Sequence, residues 1–267
     1  MAGRGRRLLR RPDRRRRPDG DRRRRTHQLI DSALLLGAAV AAAVMVGAVL
    51  QRLSGTGLAL VSAPLLTLLL GPATGVLLVN LCSICSAALI FGVVRRDVDW
   101  RRYRMLTAAA TLGVLPGAVL VAAVPASWLA LVVGVSVLVG LTATVLTRRR
   151  LRHHDDRRTP VVAAGFVSGL MNTTAGVAAP PMTIYALATR WPQHAFAATL
   201  QPFFLTVAGL SLITKLASGG GVHIDSRLGL TAAAALLVGV TIGSILTGRV
   251  NPAQARGQSP RSEHLGP

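Results

Sequence analysis

Charged side chains are absent from six long stretches of this chain: 32–51, 53–94, 105–147, 159–189, 191–214 and 228–248. A bilayer core of about 30 Å takes roughly 20 apolar helical residues, so these runs leave room for about seven or eight passes. The pattern predicts an all-α integral membrane protein. Its elements read as 32–51, 55–70, 73–94, 105–124 and 127–147, with Pro125-Ala126-Ser127 as the last turn, then 160–175, 177–189, 193–216 and 228–248. One stretch resists a plain reading. GFVSGLMNTTAGVAAPP, residues 165–181, sets an Asn-Thr-Thr triplet, glycines and a Pro-Pro pair inside an otherwise apolar run. Broken backbone at membrane depth is tolerated only where protein or a water-filled cavity satisfies it.

The stretch has a counterpart. SGTGLALVSAPLLTLLLGP (54–72) resembles TTAGVAAPPMTIYALATRWP (173–192), VDWRRYRM (98–105) corresponds to HIDSRLG (223–229), and LTAAATLGVLPGAVL (106–120) resembles LTAAAALLVGVTIGSIL (230–246). The order suggests two tandem repeats of transmembrane helices, each with a broken, re-entrant element. The boundaries drawn are an Arg-rich arm at 1–28, a first repeat at 29–147, a basic linker at 148–159, a second repeat at 160–250 and a polar tail at 251–267. Charge sets the expected path. With the arm in the cytoplasm, as the positive-inside rule favours, RRDVDWRRYR and RRRLRHHDDRR join it only if 55–70 enters and leaves on the outer side. Arg52 and Arg190 should then sit at the outer mouth, and the protein should be a multi-pass plasma-membrane protein with a cytoplasmic N-terminus.

Composition agrees. The 267 residues are 51% hydrophobic and 15% charged, against about 25% charged in soluble domains, and the mean hydropathy is +0.49. The net charge of +21 comes largely from the arm, whose prolines and glycines read as disordered. With nothing folded or aromatic beside them, its arginines point to anionic lipid rather than nucleic acid. Cys82 and Cys85 share a helix face at i, i+3 and read as packing residues. No zinc spacing, Walker motif or nucleophile–base pair is present, so neither an enzyme nor a cofactor is expected.

The candidate chemistry lies in the breaks. Pro64, Pro180 and Pro181 would release carbonyls from the helix ladder, and Gly55, Gly57 and Gly176 allow close approach or a positive φ. A half-helix starting there offers free N–H groups and a partial positive charge, a natural anion site. Ser54, Thr56, Asn172, Thr173 and Thr174 could add hydroxyl and amide donors, although each hydroxyl taken singly is more at home in close helix packing. Asn80 and Gln201 fall at similar places in the helix after each break, where they either line the same cavity or bond between helices. All ten acidic residues lie outside the apolar spans or at their edges. A site without carboxylates suits an anion or a neutral solute better than a metal cation.

SGTGLALVSAPLL, RRDVDWRRY and GFVSGLMNTTAGVAAPPMTIYALATRWPQ together resemble the TauE/SafE family of membrane permeases, over about residues 32 to 250. The resemblance implies a secondary transporter of small anions, with sulfite or organosulfonate export as the associated activity. The expected partners are the lipid bilayer and a small anionic solute, with self-association left open. Two departures stand out. Many members carry a glycine run where this chain has Gly55-Thr56-Gly57-Leu58 and Ala175-Gly176-Val177, and 251–267 shows no apolar span to complete the second repeat. The latter keeps a second expectation alive, a non-transporting scaffold or accessory subunit.

Overall fold

Helix accounts for nearly all of what the computed structural model describes: residues 19–125, 128, 131–139, 142, 158–217 and 224–250. The chain divides into two units, 1–36 and 37–267. In the first, residues 19–36 are helical and Ser32 Oγ donates to Gln28 O. The elements are α1 (Asp19–Ser54), α2 (Leu58–Leu70), α3 (Pro72–Val94), a 3₁₀ turn (Arg95–Asp97), α4 (Trp100–Ala123), α5 (described over 131–139), α6 (Arg158–Ala175), α7 (Ala179–Ala188), α8 (Gln193–Ala217) and α9 (Ser226–Val250). Among the described residues, five segments are long and apolar enough to cross a membrane: Asp31–Ser54, Pro72–Asp97, Trp100–Ala123, Gln193–Ala217 and Ser226–Gly248. Residues 1–18, 126–127, 148–157 and 251–267 lie outside the described residues, and with them most of the arm, the turn before α5, most of the linker and the tail. Helix α1 begins at Asp19, inside the segment expected to be a disordered arm.

Helix directions follow from which residues touch. Ser62 Oγ donates to Ala43 O at 3.0 Å, and Gly47 lies against Leu58, so α2 doubles back along α1. Gly75 abuts Leu66, so α3 turns again. Gly165 faces Leu106 and Ala109, Gly169 faces Ala110, and Gly117 faces Leu170 and Thr173, so α4 and α6 run the same way. Pro160 and Ala188 border the same cleft as Met171 and Pro180, which makes α7 antiparallel to α6. Gly239 packs on Met45 and Gly243 on Arg52, so α9 follows α1. An open cavity is lined jointly by Arg52, Val94, Asp97, Gln193, His194 and Thr247. The ends of α1, α3 and α9 and the start of α8 therefore meet at one end of the bundle, the vestibule end. Leaving α5 aside, α1 to α4 run towards, away from, towards and away from that end. Helices α6 to α9 run in the reverse order.

This corrects the expected path. A re-entrant 55–70 would separate Arg52 from the 95–104 loop, yet Arg52 and Asp97 share a cavity. The reason is that Pro64 lies inside α2 without ending it. Thirteen helical residues rise about 20 Å, enough to carry the chain towards the far end rather than back. The prolines of the second break are also recast. Pro180 and Pro181 fall in the first turn of α7, where an N–H has no helical partner anyway, so they start a helix instead of releasing carbonyls. The two cysteines diverge as well: Cys82 is buried, Cys85 is exposed, and both are free.

Two local motifs fix the vestibule end. Asp99 caps α4, its side chain accepting from Arg102 N at 3.0 Å while its own N–H donates to Thr199 Oγ1 at 2.9 Å. Helix α7 ends with Trp191 N donating to Ala186 O at 2.9 Å across Arg190, which sits at φ 48. That is a Schellman closure with arginine where glycine is usual, and the left-handed conformation costs an L-residue about 1–2 kcal/mol. Trp191 is held from the other side by the Arg102 guanidinium, 4.7 Å from the ring centroid, and by Phe196 edge-on. Arg190→Gly is expected to raise the thermal midpoint of the solubilised protein by an amount worth about 1 kcal/mol. A midpoint that stays put or falls would show that no strain is held there.

Candidate functional site

The two breaks in the helices, Gly55-Thr56-Gly57 and Gly176-Val177-Ala178, set the site. Gly55 and Gly176 take φ of 79 and 72, in the region glycine favours. At Gly55 a Cβ would also lie 2.7 Å from Ala197 Cβ, so glycine is needed there for contact as well as for conformation. After each break a half-helix begins with no side-chain cap, at Leu58 and at Ala179. The half-helices run in opposite directions, and their starts converge. Gly57 and Ala59 from the first, and Ala178 and Ala179 from the second, line one small internal cavity with Gln51, Ser83, Asn172, Phe204 and Ala208. Its volume is about 10 Å³, room for about one water molecule. The partial positive charges of two helix N-termini thus point into it. The α7 terminus is the poorer donor, because two of its first residues are prolines.

A polar cluster adjoins the cavity. Asn172 Nδ2 donates to Ser211 Oγ at 2.9 Å and reaches Asn80 Oδ1 at 3.4 Å. Thr173 Oγ1 and Ser211 Oγ lie 2.9 Å apart. Asn80, Asn172, Thr173 and Ser211 come from α3, α6 and α8 and are all buried. Asn80 Nδ2 has no hydrogen-bond partner among the described residues. An unpaired buried donor costs about 1–3 kcal/mol, which marks the cluster as a place with binding capacity to spare. Lys215, one helical turn beyond Ser211 in the last turn of α8, has a buried Nζ without a partner among the described residues.

The predicted site residues divide by location. Gly57 and Asn172 line the central cavity, while Asn80 and Thr173 stand behind Asn172. Gly55 and Gln201 line the open vestibule of about 320 Å³. Ser54 and Thr174 spend their hydroxyls locally, Ser54 on Leu50 O and on Thr56, and Thr174 on Leu170 O. Thr56 is half-buried within the first break, and Gly176 packs near Val76 and Val79. Pro180 and Pro181 border a separate apolar cleft of about 400 Å³ between α6 and α7. Pro64 is half-buried inside α2. Sequence reasoning missed Gln51, Ser83 and Ser211. An amide at the apolar end of α1 was the visible signal for Gln51; a serine inside an apolar helix is too common to single out.

Comparison with curated proteins and with solved structures gave no match. Comparison with protein families matches residues 39–257, most of the chain and both half-helices, to the family described as "Sulfite exporter TauE/SafE". With broken helices meeting at a buried polar cavity in a multi-pass membrane protein, the chain belongs to the TauE/SafE family of membrane transporters, which are not enzymes.

Proposed function

We propose that the protein is a secondary permease exporting a small oxyanion, sulfite or an organosulfonate, through the cavity between the two half-helix N-termini. The observation that carries this reading is the convergence of Gly57 and Ala178 on one cavity beside Asn172. Two positive helix ends, amide and hydroxyl donors and no carboxylate in the lining make a surface for negative charge. The cavity holds about one water, so this is a closed state and the helices must part to admit the anion. The matched order of breaks, traversed in opposite senses, supports two inverted repeats that rock against each other around the site.

We infer that the vestibule end, with Arg95, Arg96, Arg101 and Arg104 at or next to it, faces the cytoplasm, as the positive-inside tendency favours, in place of the cytoplasmic N-terminus expected from the arm. An exporter would then take its anion from the vestibule.

Flux into lipid vesicles tests the reading. Sulfite and a short alkyl sulfonate should cross vesicles holding folded protein at least about ten times faster than empty ones, a barrier difference of about 1.4 kcal/mol. A single cysteine replacing Arg96, labelled from one face only, gives the orientation in the same vesicles. Folded protein that moves neither anion would end the proposal.

A further inference from the structure

We propose that the Gln51–Gln201 amide pair is the shutter and selectivity element between the vestibule and the central cavity. Gln51 is the residue the two spaces have in common. It lines the small central cavity with Asn172 and the larger vestibule with Gln201. Both amides are buried, Gln51 at 3% exposure and Gln201 at 1%. Between them Gln51 Nε2 donates to Gln201 Oε1 at 3.4 Å, beyond the usual range of about 2.7–3.2 Å for such bonds.

The two partners are held unequally. Gln201 Nε2 donates to Ala197 O at 2.9 Å, which ties its side chain back to α8. Ala197 is itself pressed against Gly55, so this part of α8 is fixed to the first break. Gln51 lies in the last turn of α1, a few residues before the chain leaves the helix at Ser54. It is the movable member, and a glutamine side chain reorients by ordinary rotamer changes.

The chemistry gives the shutter a preference. An oxyanion arriving from the vestibule offers Gln51 a charged acceptor, and hydrogen bonds to charged acceptors are roughly twice as strong as neutral ones. The Gln51 N–H groups exchange the Gln201 carbonyl for the anion, the pair parts and the way to Asn172 opens. A cation offers no acceptor and triggers no exchange. Arg52 beside Gln51 and Ser244 supports the approach: its Nε donates to Ser244 Oγ at 3.0 Å, which holds the guanidinium against the vestibule wall. The selectivity half of this inference rests on the anion reading above. The shutter half does not.

Ser83 faces the central cavity and is 7% exposed, so S83C is a nearly isosteric reporter there. In a C82A/C85A background, the full-length protein carrying S83C is treated with a negatively charged methanethiosulfonate reagent. Labelling should be slow with the amide pair intact and at least about tenfold faster in Q51A. Q201A removes the partner instead and should accelerate labelling in the same way, which covers the case where Q51A does not fold. Q51L keeps the bulk but not the donor: labelling should stay slow, and sulfite flux should fall about tenfold. Parental labelling rates in both folded alanine variants would overturn the shutter. Undiminished flux in Q51L would overturn the selectivity role. Accelerated labelling in vesicles that move no anion would keep the shutter and sink the transport reading, so the two failures are separable.

Discussion

Replacing Gly169 with alanine is expected to produce one of the largest losses of stability that a single added methyl group can cause in this protein. Its Cβ would lie 2.0 Å from Ala110 O, and on the facing helix a Cβ at Gly113 would lie 2.0 Å from Phe166 O. Gly165 meets Leu106 O at 2.4 Å in the same seam. The obstructing atoms are backbone carbonyls, so no side chain can swing aside, and α4 and α6 must move apart. Close approach through small residues is how helices gain packing energy where lipid leaves no hydrophobic drive between them. Overpacking commonly costs 1–3 kcal/mol, and a backbone clash belongs at about the top of that range, against a total stability of about 5–15 kcal/mol. The loss would spread, because α6 carries Asn172 and Thr173 to Ser211. The thermal midpoint of the solubilised protein reads the effect. Gly92→Ala is the control: nothing lies within 4 Å of its Cβ, and alanine is the better helix former by about 1 kcal/mol. If the two variants melted together, the seam would not be the tight contact described.

Asn172→Leu should have the largest effect on transport. Leucine fits the volume but removes the amide that lines the cavity and leaves Ser211 and Asn80 without their shared partner. Hydrogen bonds to charged groups contribute about 1.5–3 kcal/mol, so sulfite flux should fall roughly 10- to 100-fold at about 1.36 kcal/mol per decade. Insertion should survive, since leucine is at ease in the bilayer. Asn80→Leu sits behind Asn172, outside the cavity lining, and should slow flux less. Asn172→Asp keeps the size but sets a negative charge where the anion must pass, and flux should be lost. Full sulfite flux in folded Asn172→Leu would remove Asn172 from the path.

The polar residues that matter were partly legible in advance. Asn172 stood out because an amide is costly in a bilayer and sat beside Gly176, and Gly57 because it interrupts an apolar run. Gln51 did not, because its meaning depends on Gln201, 150 residues away. The glycines of α4 and α6 look alike in sequence to Gly92 or Gly134, which face open space. Only the neighbour tells them apart. The prolines misled for a related reason. Proline has one meaning inside a helix and another at its first turn, and where α7 starts is set by the break at Gly176 rather than by Pro180 itself.

The chain by itself determined that the protein is helical, that it spans a membrane and where its helices break, because all three depend on local quantities: hydropathy over about 20 residues, backbone freedom at glycine, and the cost of an unpaired polar group in lipid. The tertiary structure alone decided that α2 runs back along α1 with Pro64 inside it, that the starts of two half-helices line one cavity, and that Gln51 lines both that cavity and the vestibule. Those outcomes rest on contacts between segments far apart in the chain. Apolar residues bind lipid and one another almost equally well, so their pattern does not say which helix meets which.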